Sequence, residues 1–235
     1  MENTFTQSQQ APLVITRTFI ASVFSWMSAA LAITAVTAYF FGTDLSYMSY
    51  LMSETGLTGL GYFVMFAPLG FVLLMSFGFQ RLSQMVMTIL FLAYSVIMGM
   101  SLSFIFLVYA QAEIYMTFAV TAGMFGLMAV AGYTTKTDLT KLGSLLFMAL
   151  IGIIIASVVN IFLKSSGFDY IISFIGVIVF TGLTAYDVQK LKRIGEGVEY
   201  GTEATAKLSI MGALNLYLDF INLFLMLLRL FGNRK

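Results

Sequence analysis

Cysteine and histidine are both absent from this chain of 235 residues. Disulfides, thiolate or imidazole metal sites, histidine-based catalytic triads and histidine pH switches are therefore excluded, and proton chemistry falls to carboxylates. Charged residues make up only 10% of the chain, against about a quarter in soluble domains. The net charge of +1 argues against nucleic acid as a partner, because phosphate binding needs a clustered basic excess.

Apolar residues, in contrast, make up 60% of the chain, and the mean hydropathy is +0.94. So much apolar surface needs a covering of membrane lipid. Seven apolar runs are each long enough to cross a hydrocarbon core about 30 Å thick as a helix. They lie at Phe19–Phe41, Gly59–Phe79, Met85–Tyr109, Ile114–Tyr133, Leu142–Leu163, Tyr170–Asp187 and Leu208–Phe231. Because the runs do not alternate, the sequence predicts an all-α integral membrane protein with seven transmembrane helices.

The predicted organisation is a polar N-terminal tail over residues 1–18, one seven-helix domain over 19–231 and a basic tail over 232–235. The longer loops are 44–56 and 188–207, the second with three glutamates among basic residues. Of the basic residues, 8 fall on the amino-terminal side of the membrane and 4 on the other. The positive-inside rule therefore predicts a cytosolic N-terminus and an external C-terminus.

Asp219 is the one charged residue deep inside a predicted span, about 18 Å along the seventh helix from Lys207. Charged residues inside a membrane are costly and usually face the protein interior. At helical spacing it shares a face with Gly212, Asn215, Asn222, Met226 and Arg229. We expect this face to pack into the bundle. An alternative is that a neutral Asp219 and the two asparagines only form hydrogen bonds between helices.

Asp187 ends the sixth predicted span, on the same face as Thr184, Phe180 and Gly176. Straight-helix arithmetic places it nearer the cytosolic interface and about 10 Å from the depth of Asp219. The alternative to a functional role is an interfacial residue paired with Lys190 or Arg193.

Three stretches carry a family resemblance: Gly132–Thr140 (GYTTKTDLT), Phe180–Lys192 (FTGLTAYDVQKLK) and Leu214–Phe224 (LNLYLDFINLF). With the span count and the polar N-terminus, they closely resemble the bacterial branch of the Bax inhibitor-1 family. The resemblance implies a bacterial inner membrane location, a seventh helix surrounded by helices 1 to 6, and a pH-governed calcium leak through the bundle.

The resemblance also implies roles for individual residues. The aspartates of the Ala-Tyr-Asp and Tyr-Leu-Asp-Phe motifs form a hydrogen-bonded pair in the family, and they match Asp187 and Asp219 here. A basic partner of the sixth-helix aspartate matches Arg81, which would tune its ionisation. Some members carry an acidic residue in the second helix, whereas Gly59–Phe79 has none, so no role of that acid is carried over.

Two carboxylates within hydrogen-bonding distance resist double ionisation and share one proton. We therefore expect Asp187 and Asp219 to act as a proton-dependent latch between helices 6 and 7. They would also be ligands for passing Ca²⁺, with Asn215, Asn222 and backbone carbonyls completing a weak site. No organic cofactor is expected.

Two other functions compete with the leak. Intramembrane aspartyl proteases use a Gly-x-Gly-Asp motif and a later Pro-Ala-Leu element, but this chain has Leu216-Tyr-Leu-Asp219 and no proline after Pro68. An enzyme is therefore not expected. The other alternative is a non-conducting regulator that binds membrane proteins such as a membrane AAA protease through the tail Met1–Thr18. A retinal protein would need a lysine within Leu208–Phe231, which has none.

Overall fold

The computed structural model describes residues 2–199 and 201–233, with side chains from Ile15 onward. Its elements, in chain order, are α1 (Glu2–Thr43), α2 (Leu45–Leu51), β1 (Met52–Ser53), β2 (Gly56–Leu57), α3 (Gly59–Gly78), α4 (Gln84–Leu102), α5 (Ile105–Val108), α6 (Gln111–Thr134), α7 (Thr140–Leu163), α8 (Ser166–Gly197) and α9 (Glu203–Phe231). The two short strands form an antiparallel hairpin in which Met52 pairs with Leu57.

Seven helical segments are long and apolar enough to cross a membrane, which confirms the predicted fold class. They are Ile15–Thr43, Gly59–Gly78, Gln84–Val108, Gln111–Thr134, Thr140–Leu163, Ser166–Gly197 and Glu203–Phe231. The last of these is the most buried, since 72% of its most apolar window lies inside the protein. The central placement of that helix among the other six stays a prediction.

The N-terminal and C-terminal tails stay predictions as well. The backbone of α1 is helical from Glu2, so no element boundary falls between residues 18 and 19. Most side chains of the predicted tail Met1–Thr18, those before Ile15, lie outside the described residues, as do Arg234 and Lys235.

The predicted end of the sixth span at Asp187 is wrong. Helix α8 is 32 residues long and continues ten residues further, to Gly197. Its continuation keeps an apolar face, because Val188 and Leu191 are 1% and 5% exposed. The predicted loop over 188–207 is therefore mostly helix, since α8 continues to Gly197 and α9 begins at Glu203.

Local sequence explains where several elements begin. The side chains of Asp44, Thr58 and Ser83 accept hydrogen bonds from backbone amides in the first turns of α2, α3 and α4. Such caps satisfy amides that have no partner inside the helix. Helix α7 ends at Leu163, and the next residue, Lys164, has a left-handed φ of 49° that closes the helix.

The chain forms two compact units. One contains the residues up to Val108 with the stretch Gly195–Leu214, and its helices α1 and α4 are joined by a hydrogen bond from the Thr34 hydroxyl to the Ser95 carbonyl (2.8 Å). The other contains Tyr109–Ile194 with the described residues from Asn215 to Asn233. Its core is formed by α7, α8 and α9 and includes Leu146, Ile153, Ile172, Val179, Phe180, Leu183, Leu223, Met226 and Leu227. This second unit holds both candidate aspartates.

Candidate functional site

Asp219 lies in the middle of α9 and is buried, with only 6% of its surface exposed. Several residues near it on the helix are fully buried, among them Leu216, Tyr217 and Leu223. Its Oδ2 atom is buried and has no hydrogen-bond donor among the described residues. An acceptor in that position is costly unless a proton or a cation satisfies it.

Asp187 supplies the group that faces this carboxyl. It lies on α8, ten residues before the helix ends, and is partly buried. Its side chain is within hydrogen-bonding range of Asp219. Lys190, three residues later on the same helix, is close enough for its charge to act on Asp187. The structure thus brings the two predicted aspartates together.

The packing of α8 on α9 explains why they meet. A Cβ atom placed on Gly176 would come within 2.8 Å of Met226 Cγ, so the two helices approach closely at that level. Because Gly176 precedes Asp187 whereas Met226 follows Asp219, the two helices are antiparallel. Thr184, one turn before Asp187, is fully buried on this face. The predicted depth mismatch does not separate the carboxyls.

The arrangement can do two things chemically. An ionised carboxylate only accepts hydrogen bonds, so Asp187 and Asp219 satisfy each other only when one of them carries a proton. Without that proton the two groups repel each other and present up to four oxygens to a cation. Oxygen is the ligand type that Ca²⁺ prefers, but the ion takes about six to eight of them, so two carboxylates alone make a weak site.

The asparagines predicted to complete this site are placed differently from the expectation. Asn215 is exposed, so the face that it shares with Asp219 is not packed along its whole length. Asn222 is partly buried, and its Nδ2 donates to the Leu218 carbonyl of its own helix (2.8 Å). Among the described residues no hydrogen bond joins either amide to the aspartates, and groups of three or more acidic side chains that would hold a metal are not found. A role as Ca²⁺ ligands stays a prediction for both.

The other predicted participants also have defined positions. Arg81 is exposed in the turn after α3, where its backbone amide donates to the Gly78 carbonyl (2.9 Å). It forms no ion pair within the described part of the chain, and its action on Asp187 stays a prediction. Arg193, an alternative partner of Asp187, instead pairs with Asp138 at 2.7 Å. Arg229, at the far end of α9, lies 3.7 Å from Asp169 of α8.

One side chain near the pair was not singled out from the sequence. Gln189, two residues after Asp187, is only 6% exposed and binds the backbone between α6 and α7. A glutamine among the basic residues of a predicted loop carries no motif, and its partners lie about fifty residues away in the chain. No short-range pattern would have found it.

Comparison with known proteins agrees with this architecture. A family model described as "Inhibitor of apoptosis-promoting Bax1" matches residues 16–235. The chain is 51% identical over 221 residues to the inner membrane protein YbhL of Escherichia coli strain K12, with 93% of each chain covered. It is 44% identical over 241 residues to an uncharacterized protein of Borreliella burgdorferi, covering 98% of this chain and 97% of that one.

A third relative is an uncharacterized membrane protein of Streptococcus pyogenes serotype M6, which is 42% identical over 143 residues. That match covers 61% of this chain and 62% of the relative. Together with the seven apolar helices, these relatives identify a multi-pass bacterial membrane protein. The chain belongs to the Bax inhibitor-1 family.

Proposed function

We propose that this protein is a passive, pH-sensitive calcium leak of the bacterial inner membrane, gated by the pair Asp187–Asp219. The observation that carries the proposal is the contact itself. Two carboxyls from different transmembrane helices lie within hydrogen-bonding range, and one oxygen of the buried Asp219 has no donor among the described residues. Buried acids in a membrane are more often functional than structural.

In the closed state one proton lies between the two carboxyls. It lets one carboxyl donate to the other, and this hydrogen bond ties α8 to α9. Because it crosses between two helices and one partner, Asp219, is buried, the bond opposes their separation. The leak is therefore low when the proton concentration is high.

In the open state the proton has left. Two adjacent negative charges repel each other, and the tie between α8 and α9 is replaced by a force that separates them. The same charges attract a divalent cation. Since the pair offers fewer oxygens than Ca²⁺ prefers, the ion binds weakly and leaves again, which conduction requires.

The test is calcium flux into liposomes that contain the purified protein, measured across pH with and without a membrane potential. In the variant Asp219→Asn the amide donates permanently, so we expect a low leak that no longer changes with pH. The matched control is Glu54→Gln, which removes a carboxylate from the exposed hairpin turn and should behave as wild type. An Asp219→Asn protein with unchanged leak and unchanged pH dependence would rule out this mechanism.

A further inference from the structure

The connection between α6 and α7, residues Thr135–Leu139, is bound to α8 by side chains that lie just beyond Asp187. Gln189 contacts this connection through both polar atoms of its amide. Its Nε2 donates to the Thr137 carbonyl (2.8 Å), and its Oε1 accepts from the Leu139 amide (2.8 Å). Because Gln189 is almost fully buried, these bonds are shielded from water. The side-chain amide of Gln189 thus pairs with the backbone of the connection in the way that the backbone of a neighbouring strand would.

Arg193, one turn further along α8, binds the same connection. Its guanidinium donates to Asp138 Oδ1 (2.7 Å), to the Thr140 hydroxyl (2.9 Å) and to Gln189 Oε1 (3.0 Å). Lys192 adds a bond from Nζ to the Tyr133 carbonyl (3.0 Å), near the end of α6. We call Gln189, Lys192, Arg193 and the connection that they bind the clamp.

Close helix packing lies on the other side of Asp187. A Cβ atom on Gly132 of α6 would overlap the Ala185 carbonyl oxygen, and one on Gly143 of α7 would overlap the Tyr186 ring. Asp187 therefore lies between two levels at which α8 is fixed. Before Asp187, glycines of α6 and α7 allow these helices to pack closely against α8. After Asp187, the clamp binds the following turns of α8.

The carboxyl of Asp138 in the clamp has a lowered pKa. Hydrogen bonds from the Thr140 hydroxyl, from Arg193 and from the Thr140 amide hold the pKa of Asp138 well below its ordinary value. A lowered carboxyl pKa means that the contribution to stability is present above the ordinary value, about 4, and is lost only as pH falls below it. Asp138 therefore stays ionised wherever the leak would be regulated.

We propose that Gln189 and Arg193 are positioning residues that set the rotation of α8 and so hold Asp187 against Asp219. This inference rests on the proposed function. In the described residues, the charged groups around Asp187 are Lys190 on its own helix and Asp219 on α9. Gly132 of α6 and Gly143 of α7, which contact α8 at this level, carry no charge. The clamp therefore acts on the pair through geometry and not through an added charge.

The experiment measures calcium leak against pH for Gln189→Leu and Arg193→Asp in liposomes. With the clamp loosened, α8 rotates more freely and the closed pair is less well aligned. We expect the midpoint of leak activation to move to lower pH by about half a unit or more, which corresponds to about 0.7 kcal/mol. Leucine is similar in size to Gln189 and cannot form its hydrogen bonds to Thr137 and Leu139.

Two matched variants separate positioning from general damage. Lys141→Asp changes the charge near the start of α7 by the same amount as Arg193→Asp. Because Lys141 is exposed and outside the clamp, the pH midpoint of leak activation in this variant should equal that of wild type. The exchange Asp138→Arg with Arg193→Asp restores an ion pair and should move the midpoint back. If both clamp variants keep the wild-type midpoint while wild type leaks in a pH-dependent way, the inference is overturned and the proposed function stands. A wild-type leak that does not depend on pH would overturn both.

Discussion

Replacing Asp187 by two different residues should move the leak in opposite directions. In Asp187→Asn, the side-chain amide is a permanent donor to Asp219 and reproduces the proton-bridged pair at every pH. In Asp187→Ala no donor is left, and the tie between α8 and α9 is absent at every pH. Both variants lose one carboxylate from the proposed cation site, so any loss of calcium binding is common to the two. The difference between them reports the tie alone.

The size of the difference follows from burial. A hydrogen bond to a charged group is worth about 1.5–3 kcal/mol, and Asp219, at 6% exposure, is shielded from competing water. Each 1.4 kcal/mol is a factor of ten in an equilibrium. The closed-to-open ratio of Asp187→Asn should therefore exceed that of Asp187→Ala by roughly ten- to hundredfold.

The assay is initial calcium entry into liposomes at a pH well above and a pH well below the wild-type midpoint. Asp187→Asn should resemble wild type at the acidic pH, and Asp187→Ala should resemble or exceed wild type at the alkaline one. Neither should change between the two conditions. The reasoning is refuted if both variants shift the leak in the same direction, or if either keeps the wild-type slope.

Two further predictions concern packing and orientation. Gly132→Ala should lower the free energy of unfolding by about 1–3 kcal/mol, because the added methyl group meets the carbonyl of Ala185. The control is Gly123→Ala on the same helix, which should be neutral or stabilising because the added methyl group meets nothing within 4 Å. Thermal unfolding in detergent measures both variants. A cysteine at Ser46 should react with an impermeant thiol reagent on intact cells, as a cytosolic N-terminus requires, and labelling only after lysis would reverse the orientation.

Most of the transmembrane helices could be predicted because a long apolar run in lipid must satisfy its own backbone hydrogen bonds and therefore forms a helix. The fifth span shows this: its prediction began at Leu142, and α7 begins at Thr140 and ends at the predicted Leu163. The end of the sixth span was missed for the opposite reason. Lys190, Lys192 and Arg193 lie where polar composition favours a loop, but the segment is helical, and there Lys192 and Arg193 bind Tyr133 and Thr140, more than fifty residues earlier in the chain.

The candidate site also has a part that the sequence predicts and a part that it does not. Residue type and depth identify Asp219, since an acid within an apolar run is rare. Its contact with Asp187 depends on how two helices pack, and straight-helix arithmetic left the two about 10 Å apart. Asn215 shows the limit of helical periodicity. Four residues advance the helix by about 400°, so Asn215 is turned about 40° from Asp219, enough to separate a surface position from a buried one.

The length of α8 has a consequence for the lipid around the protein. Thirty-two residues span about 48 Å, whereas the hydrocarbon interior of a bilayer measures about 30 Å. Such a helix either leans over or projects into the headgroup layer, and acyl-chain length sets the balance between the two. A thicker bilayer draws α8 upright and covers more of its C-terminal half, whereas a thinner one leaves the basic turns around Lys192 among the phosphates. The lipid composition of the host membrane thereby contributes to the geometry of this helix.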